Sequence, residues 1–112
     1  MCAAAGFSVQ TVAASAERVG VSTPGARVTW STTAPPECVE SVTVLVKFRT
    51  SRSGSVVRSY ATTNVSETEV ILAGLQCTTT YYIRVVVAGV AFLGYLRSIY
   101  VQVFIGGKAL VK

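Results

Sequence analysis

The stretch GLQCTTTYYIRVVVAG, Gly74 to Gly89, decides how this chain is read. Leu75, Cys77, Thr79 and Tyr81 occupy every second position. The alternation then runs on through Ile83, Val85 and Val87. Side chains repeating with period two line one face of a β-strand. The opening residues read as a corner, and the remainder as one long strand with Tyr81, Ile83, Val85 and Val87 on its buried side.

Working outward, strand and turn signals alternate along the whole chain. Toward the C-terminus, GVAFLGYL is expected as a loop between Gly89 and Gly94, and RSIYVQVFI as a last strand with Ile99, Val101, Val103 and Ile105 inward. Toward the N-terminus, EVILAG is a short strand, NVSET a loop, SVVRSYATT a strand and SRSG a hairpin turn. SVTVLVKFRT shows the clearest alternation: Val42, Val44, Val46 and Phe48 inward, Thr43, Leu45, Lys47 and Arg49 outward. TTAPPE is a loop, because paired prolines cannot donate to a ladder. RVTWS places Val28 and Trp30 together on one face, TPGA is a turn, and ERVGVS is a weaker strand. Phe7, Val9 and Val12 are expected to add an edge strand or lie along the domain edge. About seven short strands without helical periodicity imply an all-β sandwich or barrel.

Composition agrees. The chain has 112 residues, enough for one domain, and 51% are hydrophobic, enough for a core without metal. No apolar run reaches the length of a membrane span, so insertion into a bilayer is not expected. MCAAAGFSVQTV lacks the basic start and long apolar centre of a secretory signal. There is no histidine, and all five acids are glutamate: Glu17, Glu37, Glu40, Glu67 and Glu69. No Gly-x-Ser-x-Gly elbow is present and no histidine can act as base, so catalysis is not expected. Neither Cys-x-x-Cys nor histidine offers a metal site, and no cofactor is implied. The net charge of +5 suits an anionic partner. No nucleic-acid-binding motif accompanies it.

LQCTTTY resembles the fibronectin type III signature Leu-x-Pro-x-Thr-x-Tyr, with Cys77 in the proline position. Trp30 on the second strand, VTVLVKFR as the third and YIRVVVAG as the sixth extend the resemblance over residues 13 to 106. Val42 departs from it, where the family often carries an aromatic residue. The resemblance implies a seven-stranded antiparallel Greek-key β-sandwich, preceded by an extension over residues 1–12 and followed by a tail over 107–112. It implies that Tyr81 is a corner tyrosine, its ring in the core and its hydroxyl bonded back near Leu75. Leu75 would plug one end of the sandwich and Trp30 fill the space between the sheets. Function would be that of a non-catalytic, extracellular or cell-surface adhesion or spacer module cut from a longer chain. A binder selected on such a scaffold is an alternative.

In such a fold Cys38 and Cys77 lie at opposite poles. A strand of six to eight residues at ~3.3 Å each separates the poles by roughly 20–25 Å. A disulfide requires Cα atoms within ~7 Å, so a Cys38–Cys77 bridge is not expected and Cys2–Cys38 is the easier pair. Cys77 is then expected as a small buried hydrophobe.

Two surfaces stand out for binding. Phe92, Leu93, Tyr95 and Leu96 in the 89–96 loop are candidate protein contacts. Lys47, Arg49, Arg58 and Arg84, with Arg52 in the adjoining turn, are expected on the outer face of the sheet made by strands three, four, six and seven. They are candidate contacts for a sulfated glycan. Leu45, Tyr82, Val86, Tyr100 and Phe104 share that face, a mixture that resembles a protein interface. A neighbouring module or a second copy would satisfy it. Asn64-Val65-Ser66 is a glycosylation sequon in an expected loop.

Overall fold

Alternating valines and aromatics become two sheets closing on one core. The computed structural model describes residues 7–19, 23–48, 55–64, 66–89 and 95–106. Strands β1 (Val9–Val19), β2 (Thr23–Thr32) and β5 (Glu69–Ala73) form the first sheet, in the order β1-β2-β5. The second holds β3 (Val39–Lys47), β4 (Val56–Thr62), β6 (Thr79–Gly89), β7 (Tyr95–Arg97) and β8 (Val101–Ile105). Its order is β4-β3-β6, with β7 and β8 following one another along the far side of β6. All pairings are antiparallel. Apart from a 3₁₀ turn at Pro36–Cys38, the described residues contain no helix. The fold is all-β and sandwich-like.

The core joins both sheets. Ala26, Val28, Trp30 and Leu72 from the first meet Val42, Val44, Val46, Ile83, Val85, Val87, Val103 and Ile105 from the second. Val28, Val44, Val46, Val85 and Val87 are wholly buried. Burying each such side chain contributes about 1.5–3 kcal/mol relative to leaving it exposed. Branching at Cβ also suits these residues to the pleated surface.

The corner before β6 follows the sequence expectation. Gly74 has φ +78°, a left-handed conformation that L side chains rarely adopt. Its N–H and that of Leu75 both donate to the carbonyl of Pro24, at 2.9 and 3.2 Å, tying the corner to the start of β2. Leu75 is buried beneath it. Tyr81 is 3% exposed, and its hydroxyl oxygen accepts the N–H of Gln76 at 2.8 Å. Trp30, 4% exposed, stands between the sheets as expected.

Other expectations need correction. β1 is one strand from Val9 to Val19, so the border placed between residues 12 and 13 falls inside it. A register shift between Gln10 and Ala13 lets it follow β2 for its full length. Phe48 lies on the inner side, as expected, but is not buried. It is 46% exposed just past β3, at the end of the sandwich, its ring centroid 5.5 Å from that of Tyr81. Cys38 is buried and disulfide-bonded, whereas Cys77 is an exposed free thiol. The Cys38–Cys77 bridge therefore does not form. The start of β3 pairs with the end of β6, which keeps those cysteines at opposite ends. Cys77 is not the expected buried hydrophobe, because the corner turns it to solvent. Cys2, the tail from residue 107 and the SRSG turn lie outside the described residues.

Tyr81→Phe should lower stability by about 1 kcal/mol by leaving the Gln76 N–H to water. A lower urea midpoint at unchanged slope checks it. The Tyr60 hydroxyl donates to both carboxylate oxygens of Glu67, at 2.9 and 3.2 Å. That hydrogen bond, then burial and the carboxylate charge, raise the phenol above its ordinary value. The folded state thus holds the proton longer than the unfolded state. This contribution is whole below about pH 10 and is lost as pH rises through the folded value. Urea midpoints above about pH 10 should fall more steeply for the wild type than for Tyr60→Phe.

Candidate recognition face

Register assembles the outer face of the second sheet. Lys47 faces Tyr82 across β3 and β6, Leu45 faces Arg84, and Thr43 faces Val86. On the other side of β6, Arg97 faces Val86, Tyr95 faces Ala88, Gln102 faces Tyr82 and Phe104 faces Thr80. Because these positions alternate with Ile83, Val85 and Val87, which point into the core, they share the outward side.

A bulge then reshapes this face. Arg97 lies opposite Val86 and Val101 opposite Ile83, so the three residues Ser98, Ile99 and Tyr100 span the two positions Arg84 and Val85. One extra residue has entered the edge strand. Ser98 makes the insertion tolerable. Its N–H donates to the Val85 carbonyl at 2.9 Å, and its hydroxyl oxygen accepts the Val85 N–H at 2.9 Å. A side chain thus replaces the missing ladder carbonyl, and the hydroxyl donates onward to the Ile99 carbonyl at 2.8 Å. Ser98 is buried.

The insertion overturns the expected inward Ile99. Counting back from Val103 and Val101 by twos points it to the core, but the extra residue turns Ile99 and Tyr100 outward together. Ile99 is 79% exposed. Tyr100 folds over β6, its ring centroid 4.2 Å from the Arg84 guanidinium carbon. Lys47 Nζ lies 5.8 Å from the same centroid and donates to the Tyr100 hydroxyl at 3.4 Å. Such cation–aromatic contacts gain strength as water is excluded. Arg84 Nε is buried without a hydrogen-bond partner among the described residues. Nearby, the Arg97 guanidinium carbon stands 5.5 Å from the ring of Tyr95. Tyr95 and Phe104 are each more than half exposed.

The structure brings Lys47 and Arg84 together as expected and separates Arg58 from them. Arg58 faces Val46 and so shares the inner parity of β4. Its guanidinium donates to the carbonyl of Ala73, linking β4 to β5 across the sandwich edge. Tyr95 and Leu96 are not loop residues: both belong to β7, with Tyr95 outward and Leu96 packed against the core. Phe92, Leu93, Arg49 and Arg52 lie outside the described residues. Asn64 is exposed after β4. Sequence reasoning missed Arg97 and Ile99 as face residues. Arg97 was legible by parity with Tyr95, whereas nothing in Arg-Ser-Ile-Tyr announces a bulge.

Charge is divided between the sheets. The recognition face carries Lys47, Arg84 and Arg97. Glu17 and Glu69 lie on the first sheet and both bind Arg27, Glu17 at 2.7 Å. The Arg27 hydrogen bond holds the Glu17 carboxyl below its ordinary value, against a smaller opposing effect of desolvation. Glu40 is the second residue of β3, at the far end from Lys47. A cleft of about 230 Å³ opens at one end of the sandwich, lined by Trp30, Val39, Val42 and Glu67 among others. Among the described residues no group of His, Cys, Asp and Glu is placed to hold a metal ion. None of their helices is long and apolar enough to cross a membrane.

No family model matches the chain, and no curated protein shows significant similarity to it.

Ser98→Ala should cost about 1–3 kcal/mol, because the buried Val85 N–H loses its acceptor. Faster hydrogen exchange at Val85 than at Val44 is the matching local readout. An unchanged urea midpoint would show that the amide finds another partner.

Proposed function

We propose that this chain is a non-catalytic, extracellular fibronectin type III-like module that recognises a protein partner through the outer face of β3, β6, β7 and β8. Several features support the family reading. The corner tyrosine bonds back to Gln76, one residue beyond Leu75. The division into β1-β2-β5 and β4-β3-β6-β7 places strands three, four, six and seven together, as the resemblance implies. On this reading β7 and β8 share the place of a seventh strand, interrupted by the bulge.

The observation that carries the function is the exposure of Tyr95 (56%), Ile99 (79%) and Phe104 (54%) around Arg97 and the Arg84–Tyr100 stack. Exposed aromatics beside arginine are the composition of interface hot spots. Three cations on this face favour an acidic partner over a second copy, whose own cations would repel. A sulfated glycan is the second reading, favoured by the same cations. Against it, Lys47 is only 8% exposed and the Arg84 guanidinium lies against Tyr100, so neither is well presented to a sulfate. A selected binder would rest on Phe92 and Leu93, outside the described residues.

Panning a displayed random-peptide library on the wild-type chain tests the proposal. Enriched peptides should combine acidic with large apolar residues. They should lose about 10-fold or more in affinity for the Tyr95→Ser/Phe104→Ser double variant. Equal affinity for both chains would reject this face as the protein site. Retention on heparin at physiological salt that survives the double variant but is lost in Lys47→Ala/Arg97→Ala would favour the glycan reading instead.

A further inference from the structure

We infer that Asn64 is an N-glycan acceptor, occupied when the chain passes through a secretory compartment. The inference rests on the extracellular reading above. It concerns a different part of the molecule from the recognition face.

The sequon Asn64-Val65-Ser66 lies between β4 and β5, at an edge of the sandwich. Transfer of a glycan ordinarily precedes folding, so the fold must satisfy two conditions. The sequon must carry its hydroxyl, and the folded state must leave room for a large polar substituent on Asn64. Ser66 supplies the first condition. Geometry supplies the second. Asn64 and Ser66 are both exposed. The carboxamide oxygen Oδ1 takes the local hydrogen bonds, accepting the Ser66 N–H at 3.2 Å and the Ser66 hydroxyl at 2.7 Å. The backbone is anchored separately: Asn64 N–H donates to Thr62 Oγ1 at 3.0 Å, and its carbonyl accepts the Glu67 N–H at 3.0 Å. Among the described residues, Nδ2 has no partner. Neighbouring atoms of Asn64 hold the turn instead. Substitution at Nδ2 breaks no hydrogen bond to a described residue.

The chemistry balances with a lipid pyrophosphate-linked oligosaccharide as donor. A bond forms between Nδ2 and the anomeric carbon. The bond from that carbon to the pyrophosphate oxygen breaks, and the oxygen keeps the electron pair. Nδ2 gives up one proton.

The test is secretion of the full chain, behind a cleavable leader, from a eukaryotic cell. Intact mass and peptide mapping should show one hexosamine-rich adduct on Asn64 in most molecules. Peptide N-glycosidase should remove it and leave aspartate at 64. Asn64→Gln and Ser66→Ala should each abolish the adduct, and Ser66→Thr should keep it. All three should still be secreted, with at most a small fall in urea midpoint where Asn64→Gln or Ser66→Ala removes an exposed hydrogen bond of the turn. Secreted wild-type chain with Asn64 unmodified, while a co-expressed glycoprotein is fully occupied, would overturn the inference. So would Asn64→Gln chain that still carries the adduct. Occupancy is read without any ligand, so failure here leaves the peptide-binding result untouched, and the reverse also holds.

Discussion

The phenol of Tyr81 links the two sheets to the corner that leads from one into the other. Its ring occupies core space near the end of the sandwich, and its hydroxyl accepts the N–H of Gln76. That single bond restrains a turn which would otherwise depend on Gly74 and two N–H groups meeting Pro24. From the fixed corner, β6 runs through the centre of the second sheet, with β3 on one side and β7 and β8 on the other. Every residue of the recognition face takes its position from that strand. Phe48, half exposed at the end of the sandwich, packs its ring beside that of Tyr81.

Where β6 meets its outer neighbours, a second local device sets the chemistry of the surface. Ser98 is a small residue in a buried position, and its hydroxyl does the work of a backbone carbonyl. The extra residue it accommodates costs one ladder position and turns two side chains to the same side. Tyr100 then covers Arg84 and Lys47, and Ile99 projects beyond them. Bulges commonly sit at sheet edges, where they re-aim side chains and discourage edge-to-edge pairing. Here both effects fall on the edge that carries the exposed Tyr95, Ile99 and Phe104.

Among the described residues, the two outer faces differ in how their charges are satisfied. On the first sheet Arg27 is neutralised by Glu17 and Glu69, an exposed cluster that adds little stability and leaves little unmet charge. On the second, the Arg84 and Arg97 guanidinium groups stack on the rings of Tyr100 and Tyr95. A ring attracts a cation through its quadrupole but carries no net charge, so stacking leaves each guanidinium its full positive charge. The proposed partner surface and the proposed glycan acceptor are thus separated by chemistry: one cationic and aromatic, the other a polar turn with an unused amide.

The resemblance carried by LQCTTTY implied the corner roles of Leu75 and Tyr81; period-two patterning by itself determined most of the strands, the inward row Val42, Val44, Val46, Ile83, Val85, Val87, and the inward side of Trp30. Each rests on a local rule: alternation selects a face, and burial follows from apolarity. It also placed Lys47 and Arg84 on one outer face, since both follow from parity within well-formed strands. Tertiary structure alone decided where parity breaks. The bulge at Ser98 reversed Ile99, inner register carried Arg58 across to Ala73, and pairing with β6 drew Tyr95 and Leu96 into a strand. Those outcomes depend on which backbone N–H groups in a neighbouring strand need an acceptor, and a linear pattern carries no record of its neighbours.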